Sequence, residues 1–240
     1  MENLLKIPYT VFNNDWDLLQ QFLERRGNPR YELVGFVNLS YRKDIFDLGN
    51  LVRVDGDLEL SWSSIQSLGG LEYVNGHLSL HSTPIESLGN LEYVGYYLNL
   101  QNTTIDSLGN LKYVGGRLIL DHTPIESLGN LEYVGGYLAL TDTSIKSLGN
   151  LIRVDGDLIL HKSSIQSLGN LEYVGGELDL MGTAIQSLGN LEYVGRNLHL
   201  RFTPIQSLGN LGYVGDTIYL SRNHQISEEQ LTRFKFKVYY

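Results

Sequence analysis

The stretch from Leu91 to Asn110 reads LEYVGYYLNLQNTTIDSLGN, and it decides the fold because the chain repeats its pattern in register. The 20-residue pattern L-x-Y-V-G-G-x-L-x-L-x-x-T-x-I-x-S-L-G-N occurs eight times without insertion between Leu51 and Asn210. A ninth copy begins at Leu211, and a degraded copy spans about Leu33 to Asn50. A fixed period of this length is typical of a solenoid, in which each repeat buries its apolar face by stacking on its neighbours.

The interior of one coil can be predicted from this pattern. We number the positions of the repeat from 1 to 20, so that Leu91 is position 1 and Asn110 is position 20. Leu98 and Leu100 alternate with polar residues, the period-two pattern of a half-buried strand. Positions 1, 4, 8, 10, 15 and 18 are aliphatic in all eight copies, which predicts six inward side chains per coil. Such coils stack at about 4.8 Å, the spacing between neighbouring strands.

Two corners of the coil are also visible in the repeat. Position 5 is only Asp, Asn or Gly, residues that tolerate positive φ, so we expect a left-handed turn there. The second corner contains the run from Ser107 to Asn110 and its equivalents, in which glycine permits a tight bend. The stacked Ser and Asn side chains are expected to hydrogen-bond the turn backbone, which is a structural role rather than a catalytic one. The threonine row at position 13 is expected to hydrogen-bond within its own turn.

Position 3 forms an aromatic row. It is tyrosine in seven copies and arginine in two, at Arg53 and Arg153. Because arginine is rarely buried without a partner, the row is expected to face outward or to lie along a rim. Aromatic packing between adjacent coils is the favoured interpretation. A tyrosine ladder that binds a sugar or a peptide is the alternative.

Composition narrows the classes of function. The net charge is −9 and there is no cysteine, which excludes disulfides, thiolate metal sites and cysteine nucleophiles. The lysines and arginines are scattered, which argues against nucleic-acid binding because a phosphate backbone requires clustered basic residues. No stretch approaches the roughly 20 apolar residues that span a bilayer. Because Met1 to Thr10 also lack a signal-peptide pattern, we expect no membrane association and a cytoplasmic location.

Residues 1–32 suit a helical N-terminal cap. An open solenoid end exposes apolar side chains and unpaired strand edges, so each end needs a cover. A helix is predicted from about Asp15 to Arg26, with Asn14 as its capping residue. Its apolar stripe consists of Trp16, Leu19, Phe22 and Leu23.

Residues 224–240 suit a C-terminal cap. Ser227 begins a capping-box sequence that predicts a short helix. Apolar Phe234, Phe236 and Val238 then alternate with polar residues, which predicts a terminal strand. A monomer is favoured, and dimerisation through this tail is the alternative.

The repeat resembles a known superfamily. The segment from Leu98 to Ile105, LNLQNTTI, resembles the leucine-rich-repeat core L-x-L-x-x-N-x-L, with threonine where that family usually has asparagine. The segment from Ile218 to Asn223, IYLSRN, restores the asparagine. The longer string from Ser107 to Leu118, SLGNLKYVGGRL, is closest in spacing to the receptor L domain branch, which repeats a similar string in a right-handed solenoid.

The resemblance covers residues 33–223 and carries implications for fold and function. It implies a mainly β fold, a right-handed parallel β solenoid of about ten coils, used as a binding scaffold. Receptor L domains carry cysteines and irregular coils, whereas this chain has no cysteine and nearly perfect repeats. The resemblance therefore does not imply a receptor or a growth-factor ligand.

Function is expected at the outward positions 7, 9 and 11 of the strand, because these vary between copies while the interior does not. They range over acids, histidine, tyrosine and arginine. The candidate partner-binding residues are Asp57, Glu59, His77, His81, Tyr97, Asn99, Gln101, Arg117, Asp121, Tyr137, Asp157, His161, Glu177, Asp179, His199 and Arg201. Trp62 and Phe202 lie just beyond the strand, where a buried aromatic residue is not expected.

A chemical role for this surface is the competing hypothesis. One group of acids and histidines could approach to hold a divalent ion or to act as an acid–base pair: Asp157, His161, Glu177, Asp179 and His199. These residues would lie on an open sheet, however, and neutral residues interrupt them. The sequence also contains no nucleotide-binding loop, nucleophile elbow or zinc-protease motif. We therefore predict no catalytic residue, no metal site and no cofactor.

The sequence thus favours a non-enzymatic scaffold that recognises another protein through the outward strand face. An effector or inhibitor of a host factor is a special case, argued by analogy, since a long acidic face could cover a basic cleft. The alternative is a solenoid that binds or cleaves carbohydrate with its tyrosine-rich and acidic rows.

Overall fold

The computed structural model describes residues 4–234 and 237–240. Within them, two parallel sheets of eleven strands each run along the molecule. Sheet 1 consists of Leu5–Pro8, Tyr31–Val34, Leu51–Asp55, Tyr73–Val74, Tyr93–Val94, Tyr113–Val114, Tyr133–Val134, Arg153–Val154, Tyr173–Val174, Tyr193–Val194 and Tyr213–Val214. Sheet 2 consists of Val37–Asn38, Leu58–Glu59, Leu78–Ser79, Leu98–Asn99, Leu118–Ile119, Leu138–Ala139, Leu158–Ile159, Leu178–Asp179, Leu198–His199, Ile218–Tyr219 and Val238–Tyr239. The predicted mainly β, parallel solenoid of about ten coils is confirmed.

Consecutive coils pair in register. Tyr113 lies opposite Tyr133 in sheet 1, and Leu118 lies opposite Leu138 in sheet 2. On the third side of the coil, serines at position 17 form isolated parallel bridges, such as Ser107 with Ser127. Each repeat position therefore stacks on the same position of the next coil and forms a column along the solenoid.

The predicted interior is confirmed. Across the eight repeats, the aliphatic side chains at positions 1, 4, 8, 10, 15 and 18 are at most 2 % exposed. The threonines at position 13 are also buried, except for the half-buried Thr203, and the hydroxyl of Thr103 donates a hydrogen bond to the carbonyl oxygen of Leu100 at 2.7 Å. The threonine row thus satisfies a strand carbonyl at the corner, as predicted.

The prediction of a left-handed turn at position 5 is wrong. From Asp55 to Gly215 no residue at position 5 has a left-handed φ; apart from Gly56, the residues with positive φ lie at positions 12 and 19. Glycine is favoured at position 5 by close packing, because a Cβ on Gly115 would lie 2.0 Å from the carbonyl oxygen of Gly95. At position 19 glycine makes the predicted bend: Gly129 has φ 58°, and its N–H donates to the Ser127 hydroxyl oxygen at 3.0 Å.

The N-terminal cap contains a 3-10 helix, Tyr9–Phe12, and helix α1, Trp16–Glu24. The capping residue of α1 is Asp15, whose carboxylate accepts backbone N–H bonds of 2.9 and 3.1 Å. Asn14 was the expected cap, but its φ of 57° takes it out of the capping conformation. Strand Leu5–Pro8 pairs with Tyr31–Val34, so the segment before the repeats also begins sheet 1. The buried residues of α1 are Trp16, Leu19 and Leu23.

The C-terminal cap contains helix α2, Glu228–Thr232, which begins after Ser227 as predicted. The Ser227 hydroxyl accepts a hydrogen bond from the Gln230 N–H at 3.4 Å. Strand Val238–Tyr239 pairs with Ile218–Tyr219 of the same chain and so extends sheet 2 by one strand. Phe236, predicted to belong to this strand, lies outside the described residues.

The described residues include no helix that is long and apolar enough to cross a lipid bilayer.

Candidate functional site

The outward side of sheet 2 carries every partner-binding residue that the sequence predicts. These side chains alternate with the buried leucines of positions 8 and 10, and none of them is buried. The position-7 column contains Asp57, His77, Tyr97, Arg117, Tyr137, Asp157 and Glu177. The position-9 column contains Glu59, Asn99, Asp179 and His199, and the position-11 column contains His81, Gln101, Asp121, His161 and Arg201. We call positions 7 to 12 on this side the variable face.

A hollow of about 510 Å³ lies in the middle of the variable face. Its lining residues are His77, Tyr96, Tyr97, Gly116, Arg117, Ile119 and Tyr137. Tyr96 is 61 % exposed and occupies position 6, where six other copies have glycine. Because the next coil has Gly116 at that position, no side chain of the position-6 column covers the ring of Tyr96 on that side. The hollow thus has aromatic walls, one aliphatic residue and one arginine.

Arg117 contributes an uncompensated positive charge to this hollow. Among the residues that the structure describes, none forms an ion pair or hydrogen bond with its guanidinium. By contrast, Arg153 on sheet 1 contacts Asp155 at 2.6 Å. Burial raises the pKa of both Tyr97 and Tyr137, so these phenols stay neutral beside Arg117 at physiological pH.

Two histidine–carboxylate pairs lie toward the C-terminal end of the variable face. His161 Nδ1 is 3.4 Å from Asp179 Oδ2, and His199 Nε2 is 3.3 Å from Glu177 Oε1. Asp157 does not join them, since its carboxylate accepts the backbone N–H of Glu177 at 2.8 Å. No three His, Asp or Glu side chains among the described residues are grouped so that they could hold a metal ion. The group of acids and histidines that the competing hypothesis brings together thus forms two separate pairs, without Asp157.

Three exposed aromatic residues at the edge of the variable face have an unfavourable backbone conformation. Tyr41, Trp62 and Phe202 have φ of 62°, 62° and 60°. They are 70 %, 45 % and 75 % exposed. Left-handed φ is uncommon for bulky residues, and the other copies mostly carry small or polar residues at this corner. Those residues are Ser82, Asn102, His122, Asp142, Lys162 and Gly182.

The C-terminal end of the variable face is aromatic as well. His199 stacks on Tyr219 with ring centroids 4.5 Å apart. The Arg201 guanidinium carbon lies 5.3 Å from the ring centroids of both Tyr219 and Tyr239. The terminal strand therefore adds its own aromatic residue to this surface.

The tyrosine row of sheet 1 is stacked along the solenoid, which confirms the favoured interpretation. Tyr93 and Tyr113 are 4.9 Å apart with an interplanar angle of 3°. Arg153 continues the row, with its guanidinium carbon 3.8 Å from the centroid of the Tyr173 ring. A hydrogen bond from Tyr133 to Asp155 raises the pKa of Tyr133 to about 12. The ring faces in this row thus contact one another.

Three exposed aromatic residues, two on the variable face and one beside it at position 6, were missed by the sequence interpretation. Phe36 and Tyr41 belong to the first coil, where Val37–Asn38 pairs with Leu58–Glu59 at an offset of 21 residues. That offset hides them from a search at period 20. Tyr96 could have been found, because it replaces the usual glycine of position 6.

Comparisons of the chain with protein-family models, with curated proteins and with solved structures each gave no match. Function must therefore be inferred from the residues of the variable face.

Proposed function

We propose that the chain is a non-enzymatic scaffold that recognises another protein through the variable face. The observation that carries the proposal is the set of exposed aromatic residues with positive φ: Tyr41, Trp62 and Phe202. A left-handed backbone costs an ordinary residue about 1–2 kcal/mol. Tyr41 and Phe202 recover little of that cost by burial within the chain, whereas Trp62 is about half buried, with its ring centroid 5.1 Å from that of His81. Contact with a partner is the reason that we infer for keeping them.

The composition of the variable face also suits protein recognition. Tyrosine, tryptophan and arginine dominate the binding energy of protein interfaces. Tyr96, Tyr97, Arg117 and Tyr137 lie together at its centre. Ten coils spaced by about 4.8 Å, with six strand and corner positions each, give a projected area of roughly 700 Å². Standard interfaces bury about 800 Å² per partner, so one partner of ordinary size could occupy the whole face.

The tyrosine row of sheet 1 is the less suitable surface. Its rings stack on one another, so their faces are already used between coils. Its neighbouring position 2 is mostly glutamate, as at Glu172 and Glu192, and charged acids are depleted from interface cores. We therefore assign recognition to sheet 2.

The proposal includes membership of the leucine-rich-repeat superfamily and a cytoplasmic, monomeric protein. The alternating inward Leu98 and Leu100 support the family assignment, as does Thr103, which bonds a strand carbonyl where that family has asparagine. The absence of cysteine suits a reducing compartment. The pairing of Val238–Tyr239 with its own last coil supports a monomer.

The test is affinity capture from the native cell, followed by titration of the purified partner. The variable-face variant combines Glu59→Lys, Arg117→Glu, Asp179→Lys and Arg201→Glu. The matched control, away from the variable face, combines Glu172→Lys, Glu192→Lys, Lys112→Glu and Lys146→Glu, and it also reverses four charges without a net change. We expect the first variant to weaken the dissociation constant by about tenfold or more, since it reverses charge complementarity, and the control to leave it unchanged. Loss of binding only in the control would overturn the proposal.

A further inference from the structure

The hollow of the variable face differs in chemistry from the surface around it. Tyr96 and Tyr137 provide aromatic walls, Ile119 is aliphatic, and Arg117 supplies a positive charge. The surrounding columns are acidic at both ends, with Asp57 and Glu59 on one side and Asp157, Glu177 and Asp179 on the other. An apolar cavity with one convergent charge is the usual form of a specific binding pocket, and its volume of about 510 Å³ fits one or two side chains.

Within residues 4–234 and 237–240, no side chain forms an ion pair or hydrogen bond with the Arg117 guanidinium. Three acids of the same face accept backbone hydrogen bonds: the Glu59 carboxylate accepts the Ser61 N–H at 2.9 Å, the Asp121 carboxylate the Thr141 N–H at 2.8 Å, and the Asp157 carboxylate the Glu177 N–H at 2.8 Å. Other arginines do have partners, as Arg42 has with Asp17 and Asp44 at 2.8 and 2.6 Å. Because no described residue pairs with this guanidinium and the chain has a net charge of −9, the guanidinium is available for a carboxylate from outside.

We propose that the hollow receives an acidic side chain and an adjacent apolar side chain from an exposed segment of the partner protein. The carboxylate pairs with Arg117, and the apolar neighbour packs against Tyr96 and Tyr137. This assignment rests on the proposed protein-binding function and specifies its centre. The acids at both ends of the variable face repel a carboxylate that is displaced from the hollow. Arg117 therefore also determines the position at which the partner binds.

Small probes test the hollow without the partner. The probe is 3-phenylpropionate, which carries an aromatic ring and a carboxylate, and its neutral isostere is 3-phenylpropionamide. Binding is followed by NMR through the methyl resonances of Ile119. In the native chain we expect the carboxylate to bind about 3–10-fold more tightly than the amide, the range for a partly exposed ion pair with hydrogen bonds.

Three variants assign that difference to named residues. Arg117→Gln should make the two probes bind equally. Tyr96→Gly introduces the residue found in six other copies, so it should keep the fold while weakening both probes by the same factor. Arg153→Gln, on sheet 1 and away from the hollow, should change neither affinity.

The opposite results would overturn the inference. Equal affinity of the two probes in the native chain would remove the role of Arg117. Shifts at Ile119 on adding a neutral disaccharide, with none on adding either probe, would mean that the hollow is a sugar site. Neither result would decide the proposed function, because a variant that carries only Glu59→Lys, Asp179→Lys and Arg201→Glu tests partner binding outside the hollow.

Discussion

Replacing Leu118 with alanine should lower the free energy of unfolding by about 3–5 kcal/mol. Leu118 is fully buried and lies in register with Leu98 and Leu138, which are also fully buried. Buried Leu→Ala substitutions cost about 2.7–5.0 kcal/mol, and the larger values occur where the surroundings cannot collapse into the cavity. Here backbone hydrogen bonds keep the adjacent coils in place. The Leu98 N–H donates to the Arg117 carbonyl oxygen at 2.8 Å, and the Leu118 N–H donates to the Tyr137 carbonyl oxygen at 2.9 Å. We therefore expect the upper part of the range.

Urea unfolding followed by circular dichroism measures this loss. The control is Glu126→Gln in the same coil, since glutamine stands at this exposed position in other copies, as at Gln166. It should change the free energy of unfolding by less than about 0.5 kcal/mol. The slope of the denaturant dependence is compared as well, because repeat arrays depart from two-state unfolding. Equal losses in the two variants, or a loss below about 1 kcal/mol for Leu118→Ala, would refute the close-packed interior.

Three further outcomes are expected. Deleting residues 234–240 should lower the melting temperature without changing the mass in light scattering, because buried Phe234 and strand Val238–Tyr239 cover the last coil; a dimer-to-monomer change would refute this. Burial raises the pKa of Tyr9 and of Tyr31 to about 12, so the folded state favours the neutral phenols. The contribution of these two phenols to the free energy of unfolding should be complete below about pH 10 and lost as the pH rises toward 12. Alkaline unfolding that is identical in a variant with phenylalanine at both sites would contradict this expectation. Chelation by EDTA should leave the melting temperature unchanged, since stability comes from coil stacking; a decrease would reveal a structural metal.

The interior was predictable from the sequence because its signal repeats. Six aliphatic positions recur at period 20, so the burial of Leu118 and its equivalents follows from the pattern alone. The left-handed corner was placed wrongly because glycine has two uses. At Gly115 it permits close approach of the neighbouring coil, while the true left-handed position 12 carries such mixed residues as Lys162 and Phe202. The capping residue was missed by one position, since Asn14 and Asp15 are both good caps in sequence and only the backbone dihedrals distinguish them.

The candidate site was predictable in outline but not in detail. Strand alternation places Arg117 and Tyr137 on the outward side, as the sequence indicates. The hollow between them depends on Tyr96, whose significance comes from the missing side chain at Gly116 in the next coil. His161 and His199 each pair with a different carboxylate, and this depends on side-chain conformations that the repeat positions do not specify.

Photo-crosslinking tests most directly whether the variable face is the recognition surface. Benzoylphenylalanine is placed at Ile159, on the outward side of sheet 2, and separately at Ile152, an exposed residue of position 2 beside sheet 1. Both variants are irradiated with the captured partner, and the adducts are measured by mass spectrometry. The proposed function predicts a covalent adduct from position 159 and none from position 152. An adduct from position 152 alone would contradict it.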